Sequence, residues 1–187
     1  MDDLETFTAF AGHTRLVRGS IEAVARDLSK RGVIARPVLI LSDMTGHPVD
    51  LDLSHGAEHA AAEYRSRSDA PVAPPRQGRG RPKLGVVARE VTLLPRHWDW
   101  LATQPGGASA ALRRLVEDAR RANAGPDRER QARDALYRAM SALAGDLPGF
   151  EEASRALFAN DRDRFGAIVA AWPTDVAAHL QVLAEPR

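Results

Sequence analysis

The sequence predicts an α+β protein: a small N-terminal α/β unit, a strand-helix-helix segment in the middle, and an all-helical C-terminal region. Three observations predict it. Short alternating or apolar runs bounded by turn residues are confined to the first fifty or so positions and to Arg89–Leu94. Apolar residues at helical spacing dominate the chain beyond Pro95. Between these regions the composition turns proline- and glycine-rich. With 187 residues, 44% hydrophobic and 27% charged, the chain has the makings of one ordinary folded domain or two to three small ones. The expected organisation is a domain over 1–66, a basic linker or arm over 67–84, a unit over 85–122, and a helical domain over 127–187.

The elements follow in order. Thr6–Ala11 sets Phe7 and Phe10 among small residues, Gly12-His13 starts a turn, and Arg15–Arg18 pairs back as a hairpin. Ser20 is a good N-cap for a helix carrying Ile21, Val24, Ala25 and Leu28, which Gly32 ends. Pro37 precedes Val38–Leu41, a short buried strand. Thr45-Gly46 turns the chain, and Pro48–Leu53 alternates apolar and acidic residues. Ala57–Arg65 reads as a helix, so the order is β-β-α-β-β-α.

From Ser66 to Lys83, Pro71, Pro74, Pro75 and Pro82 point to a linker with polyproline II character. Arg89–Leu94 is a strand candidate. Pro95 suits a first helical turn, and the helix runs through Gln104 to the break at Pro105-Gly106-Gly107. A second helix begins near Ala108-Ser109, carries Leu112, Leu115, Val116 and Ala119, and ends on Arg120-Arg121, cations well placed for its dipole. Asn123–Pro126 ends that unit. Asp127–Gly145 forms a helix with Leu136, Met140 and Leu143, and Pro148 opens one with Phe150, Ala153, Leu157 and Phe158. Asp161 caps a helix bearing Phe165, Ile168, Val169 and Trp172, and Thr174 caps the last, with Val176, Leu180 and Leu183.

Composition narrows the chemistry. Without cysteine there are no disulfides, thiolate zinc sites or cysteine nucleophiles. The start MDDLETFTAF lacks a signal peptide's basic and apolar regions, and no apolar run nears the ~20 residues of a membrane span. The expectation is a cytoplasmic protein with no membrane partner. No Ser-His-Asp arrangement, phosphate loop or dinucleotide fingerprint is visible, so neither catalysis nor a cofactor is expected. His55, Glu58 and His59 match H-x-x-E-H. However, Gly56 places them at a helix start with no evident third ligand, so they read as surface histidines and no metal is expected. Asp43, Asp50 and Asp52 read as solvated hairpin carboxylates. Trp98 and Leu101, three apart, should share a buried face, leaving Trp100 more exposed.

Net charge is only +1, so a nucleic-acid reading must rest on local charge. Pro71 through Arg89 supplies it: Arg76, Arg79, Arg81, Lys83 and Arg89, with no acidic residue. The core Arg79-Gly80-Arg81-Pro82-Lys83 resembles the AT-hook, an arm lying in the minor groove of A·T-rich DNA. Glycine and proline keep such an arm thin and extended, and arginines favour the narrow groove's enhanced negative potential.

The segment REVTLLP, the helix to Gln104, the Gly106-Gly107 break and the helix with Leu112-Arg113 resemble the ribbon-helix-helix family. The resemblance implies antiparallel strand pairing between two chains, a ribbon in the DNA major groove carrying Arg89, Val91, Thr92 and Leu93, and a phosphate held at the start of helix two near Ser109 and Arg113. It departs from the family pattern on the strand. One face would carry Arg89, Val91 and Leu93, the other Glu90, Thr92 and Leu94, and neither is a polar base-reading face. Size also favours a homodimer, since about 35 residues bury too little core alone and a lone strand leaves both edges unpaired. The alternative is that this strand joins the N-terminal sheet.

GRPKLGVVAREVTLLPRHWDWL and GDLPGFEEASRALF further resemble an uncharacterised bacterial family of unknown function. The expected function is a dimeric DNA-binding transcriptional regulator preferring A·T-rich duplex, with a ligand or partner on the N- or C-terminal region. The alternative is an antitoxin-like interaction dimer whose helical tail grips a protein partner.

Overall fold

Phe7 and Phe10 lie three apart on one strand, so they point to opposite faces of a sheet. That spacing explains the architecture. The computed structural model describes residues 5–32, 37–68 and 89–185. The elements are β1 (Phe7–Ala11), β2 (Thr14–Gly19), α1 (Ile21–Arg31), β3 (Val38–Ser42), β4 (Pro48–Val49), a 3-10 turn (Leu53–His55), α2 (Ala57–Ser68), α3 (Pro95–Ala102), α4 (Gly107–Ala122), α5 (Ala124–Ala144), α6 (Phe150–Phe158), α7 (Arg162–Val169) and α8 (Thr174–Ala184). The fold class is α+β, as expected. The four strands form an antiparallel sheet in the order β2-β1-β3-β4.

Each face of the central strands feeds its own core. Phe7, Ala9 and Ile40 join Ile21, Val24, Ala25 and Leu28 of α1 and Ala61 of α2. Tyr64 of α2 meets Phe7 edge-on at 5.3 Å. Phe10 and Leu41 join the second core, with Leu136, Met140, Phe165, Val169, Trp172, Val176, Leu180 and Leu183 of the C-terminal region. Each such large side chain contributes roughly 1.5–3 kcal/mol on burial. The two regions expected as separate domains therefore share a core. Residues 1–68 and 127–187 form one compact unit, and residues 69–126 form another.

Several boundaries differ from the sequence expectations, each for a local reason. Thr174 is the first residue of α8, and Pro173 holds the cap position with φ −50° and ψ 134°. Gly149, in the left-handed region at φ 85°, is the N-cap of α6, which begins at Phe150 where Pro148 was expected to open it. Asn123 alone separates α4 from α5. Pro126 sits in the first turn of α5, where its missing N–H is not needed. Ser20 and Asp161 cap as expected, accepting from the amides of Ala23 and Arg164.

The expectation for Asp43 is overturned. Asp43 is not a solvated hairpin carboxylate: it is 2% exposed. It accepts from Thr6 Oγ1 at 2.9 Å, Thr8 Oγ1 at 2.7 Å and Arg18 Nε at 2.7 Å. Its own amide donates to the Thr6 carbonyl at 2.9 Å. On the edge strand β2, the Arg15 amide donates to Asp175 Oδ2 of α8 at 2.9 Å, which occupies a backbone donor that an edge would otherwise expose. Trp172 is buried in the second core, with Nε1 donating to the Pro148 carbonyl at 2.8 Å.

Candidate nucleic-acid interface

Among its described residues, the unit over 69–126 buries little. Pro95 opens α3 behind Leu94, whose carbonyl accepts from His97 at 2.8 Å and Trp98 at 3.3 Å. Thr103 closes the helix, its hydroxyl donating to the Trp100 carbonyl at 2.7 Å. Gly106 and Gly107 then take φ 80° and 74°, a pair of left-handed residues that favours glycine at both positions. Gly106 caps α4 and offers no side-chain hydrogen bond to the amides of its first turn. Leu101 and Ala111 are the buried residues of α3 and α4.

Much of this unit's apolar surface faces outward. Of eight large hydrophobic side chains exposed among the described residues, six are here: Val91, Leu94, Trp98, Trp100, Leu115 and Val116, between 41% and 64% exposed. Trp98 was expected to share the buried face of Leu101, but it is 41% exposed while Leu101 is 2% exposed. Trp100 is the more exposed of the two tryptophans, as expected. The one large side chain buried among the unit's described residues, Leu101, contributes about 2–3 kcal/mol, against about 1–2 kcal/mol of backbone entropy for each residue ordered in two helices.

The expected DNA-contacting residues fall in two groups. Arg76, Arg79, Gly80, Arg81, Pro82 and Lys83 lie outside the described residues. Arg89, Val91, Thr92, Ser109 and Arg113 are exposed or partly so, and Leu93 is half-buried. The segment Arg89–Leu94 is not a strand here, and it does not join the N-terminal sheet, whose strands all come from residues 7–49. Leu94 is extended, at φ −67° and ψ 149°. Regular strand structure needs a ladder partner, and among the described residues this segment has none. On α4, Glu117 pairs with Arg120 at 3.0 Å and reaches Arg121 at 3.9 Å. Arg113 and Arg114 form no ion pair among the described residues.

Charge is divided unequally between the two units. Residues 69–126 hold ten Lys/Arg against five Asp/Glu, a net +5, while the rest of the chain holds sixteen against twenty, a net −4. The overall +1 hides this division.

The other candidates are less developed. His55 and His59 have ring centroids 5.4 Å apart, but Glu58 is engaged by Arg26 Nε at 3.2 Å. Among the described residues no three His, Cys, Asp or Glu side chains form a group suited to a metal ion. Asp52 accepts from the Ser54 amide at 2.9 Å, and these Ser54 hydrogen bonds hold its carboxyl below the usual range, with His55 and His59 adding to the effect. An open cavity of about 270 Å³ lies between the β3–β4 turn and α5, lined by Met44, Thr45, His47, Gln131, Asp134 and Arg138. The Arg138 guanidinium is tied to the Thr45 carbonyl at 2.9 Å. Among the described residues no helix is long and apolar enough to cross a membrane.

Comparison with known proteins yields no match among curated proteins and none among solved structures. Residues 6–184 match one family nearly end to end, and the chain belongs to that family, an uncharacterized protein conserved in bacteria (DUF2239).

Proposed function

We propose that residues 69–126 form a DNA-binding unit that works as a homodimer, and that the protein is a transcriptional regulator. The observation that carries this reading is a coincidence of three properties in one short region. The unit has the chain's net positive charge and, among the described residues, most of the exposed large apolar side chains and a segment, Arg89–Leu94, without a strand partner. Two copies pairing through Arg89–Leu94 would supply each ladder and cover Val91, Leu94, Trp98, Leu115 and Val116. The paired ribbon would enter a major groove, with the start of α4 near Ser109, which its glycine cap leaves without a side-chain acceptor, and Arg113 beside it, on a phosphate. The arm Arg76–Lys83 would lie in the adjacent minor groove and favour A·T pairs, which lack the obstructing guanine amino group. Neither side of the ribbon is rich in polar readers, so affinity rests mainly on phosphate contacts and falls steeply with salt.

The test is fluorescence anisotropy with A·T-rich and G·C-rich duplexes over a salt series, comparing wild type with Arg81→Ala. The expected result is A·T preference, steep salt dependence and loss of the preference in the variant. Absence of binding to every duplex at low salt sinks the reading. The second reading, an antitoxin-like dimer whose helical tail grips a protein partner, would then stand, with the exposed Phe158 of α6 as a candidate contact.

A further inference from the structure

The buried face of α8 carries one residue out of character with its neighbours. Alongside Val176, Ala177, Leu180 and Leu183 it buries His179, which is 1% exposed. Both imidazole nitrogens are buried without a hydrogen-bond partner among the described residues. The ring is inclined at 65° to Phe10 of β1, with centroids 5.2 Å apart. A neutral imidazole offers one donor and one acceptor, and here neither is used. Such a site tolerates the neutral ring and resists the cation, which would bury a charge as well as an unmet donor.

The charged groups around it do not rescue the cation. β2 contributes Arg18 and Arg15, both repelling it, and the end of β3 contributes Asp43. Asp43 already holds Arg18 and two threonine hydroxyls. β1 offers Phe10 and Thr8, which carry no charge. Asp175, on α8 itself, is engaged by the Arg15 amide. The core shared with α5 and α7 is apolar, with Leu136, Met140, Phe165 and Val169. Burial pushes His179 down to about 4, Asp43 opposes this, and Arg18 and Arg15 add to it.

We propose that α8 is an acid-labile latch on the N-terminal sheet: a proton on His179 requires the ring to leave Phe10, and α8 unpacks from β1 and β2 with it. The helix has 11 residues, below the length that holds in water by itself, so it melts once its packing is lost. Opening returns the imidazole to its ordinary value near 6.5, so opening takes up a proton between that value and about 4. Docking is therefore at full strength above about pH 6.5 and is lost progressively as pH falls through that window. From pH 7.5 to pH 5 the opening constant rises about 30-fold, while most Asp and Glu side chains remain ionised.

The experiment is hydrogen exchange of the full chain at pH 7.5 and pH 5, corrected for the pH dependence of chemical exchange. Peptides from α8 and α1 are compared in wild type, His179→Phe and His179→Gln. The expected result is an approximately 30-fold loss of protection in α8, little change in α1, and no such pH dependence in either variant. His179→Phe keeps a ring against Phe10, and His179→Gln serves if the phenylalanine variant fails to fold. The proposal is overturned if α8 protection is equal at both pH values, if α1 and α8 lose protection by the same factor, or if the variants keep the wild-type dependence.

Discussion

Asp43 and His179 show how much a single side chain's environment depends on residues distant in sequence. Asp43 follows the apolar run of β3 and precedes a Thr-Gly turn, which in sequence looks like a hairpin shoulder. Its burial is set by Arg18, 25 positions away, and Thr8, 35 away. Removing a buried carboxylate leaves two hydroxyls and a guanidinium without their acceptor. Asp43→Ala should lower stability by about 3 kcal/mol, measured as a reduced urea midpoint at constant slope. Asp43→Asn should cost nearly as much if the charge matters more than the volume. Arg18→Ala should cost clearly less, because the Arg18 side chain is 38% exposed and Asp43 keeps both threonine donors. Equal losses for Asp43→Ala and Arg18→Ala would place the stabilisation in the ion pair alone.

At the scale of elements, two glycines with similar positive φ separate conformational strain from packing. Gly46 in the β3–β4 turn has φ 69°, and an added Cβ would sit 2.1 Å from the Ala135 carbonyl oxygen of α5. Gly107 has φ 74°, with nothing within 4 Å of an added Cβ. Gly107→Ala should cost roughly 1–2 kcal/mol, the penalty for a left-handed alanine. Gly46→Ala must also lift the turn off α5 and should cost about 3 kcal/mol or more, so thermal unfolding should rank it well below the Gly107 variant. Helices were the more legible elements, because apolar spacing and local caps such as Ser20 and Asp161 lie within a few residues of each other. Arg89–Leu94 was not legible in the same way. Its sequence suits a strand, but a strand is a relation to a partner, and the described residues hold no partner for it.

At the scale of the whole molecule, the dimer reading predicts that thermal stability depends on concentration. The unfolding midpoint should rise with protein concentration, and Leu94→Asp or Val116→Glu should remove that dependence while leaving the N-terminal sheet folded. A concentration-independent midpoint in wild type, with a monomeric mass in solution, would count against dimerisation. Replacing Arg79, Arg81 and Lys83 together should reduce the salt-dependence slope of DNA binding by up to about 3 per protomer, since each phosphate no longer neutralised removes about 0.9. Sequence alone determined the α+β class, the helical register of most elements, the basic stretch before Arg89 and the paired-glycine break after α3, because each rests on periodicity, local charge or backbone chemistry within a few positions. Only the tertiary structure decided that the first and last regions share a core through Phe10 and Leu41, that Asp43 is buried, and that His179 lies inside it without a hydrogen-bond partner among the described residues. Those features depend on which distant surfaces exclude water together, and a residue's own neighbours in sequence carry little information about that.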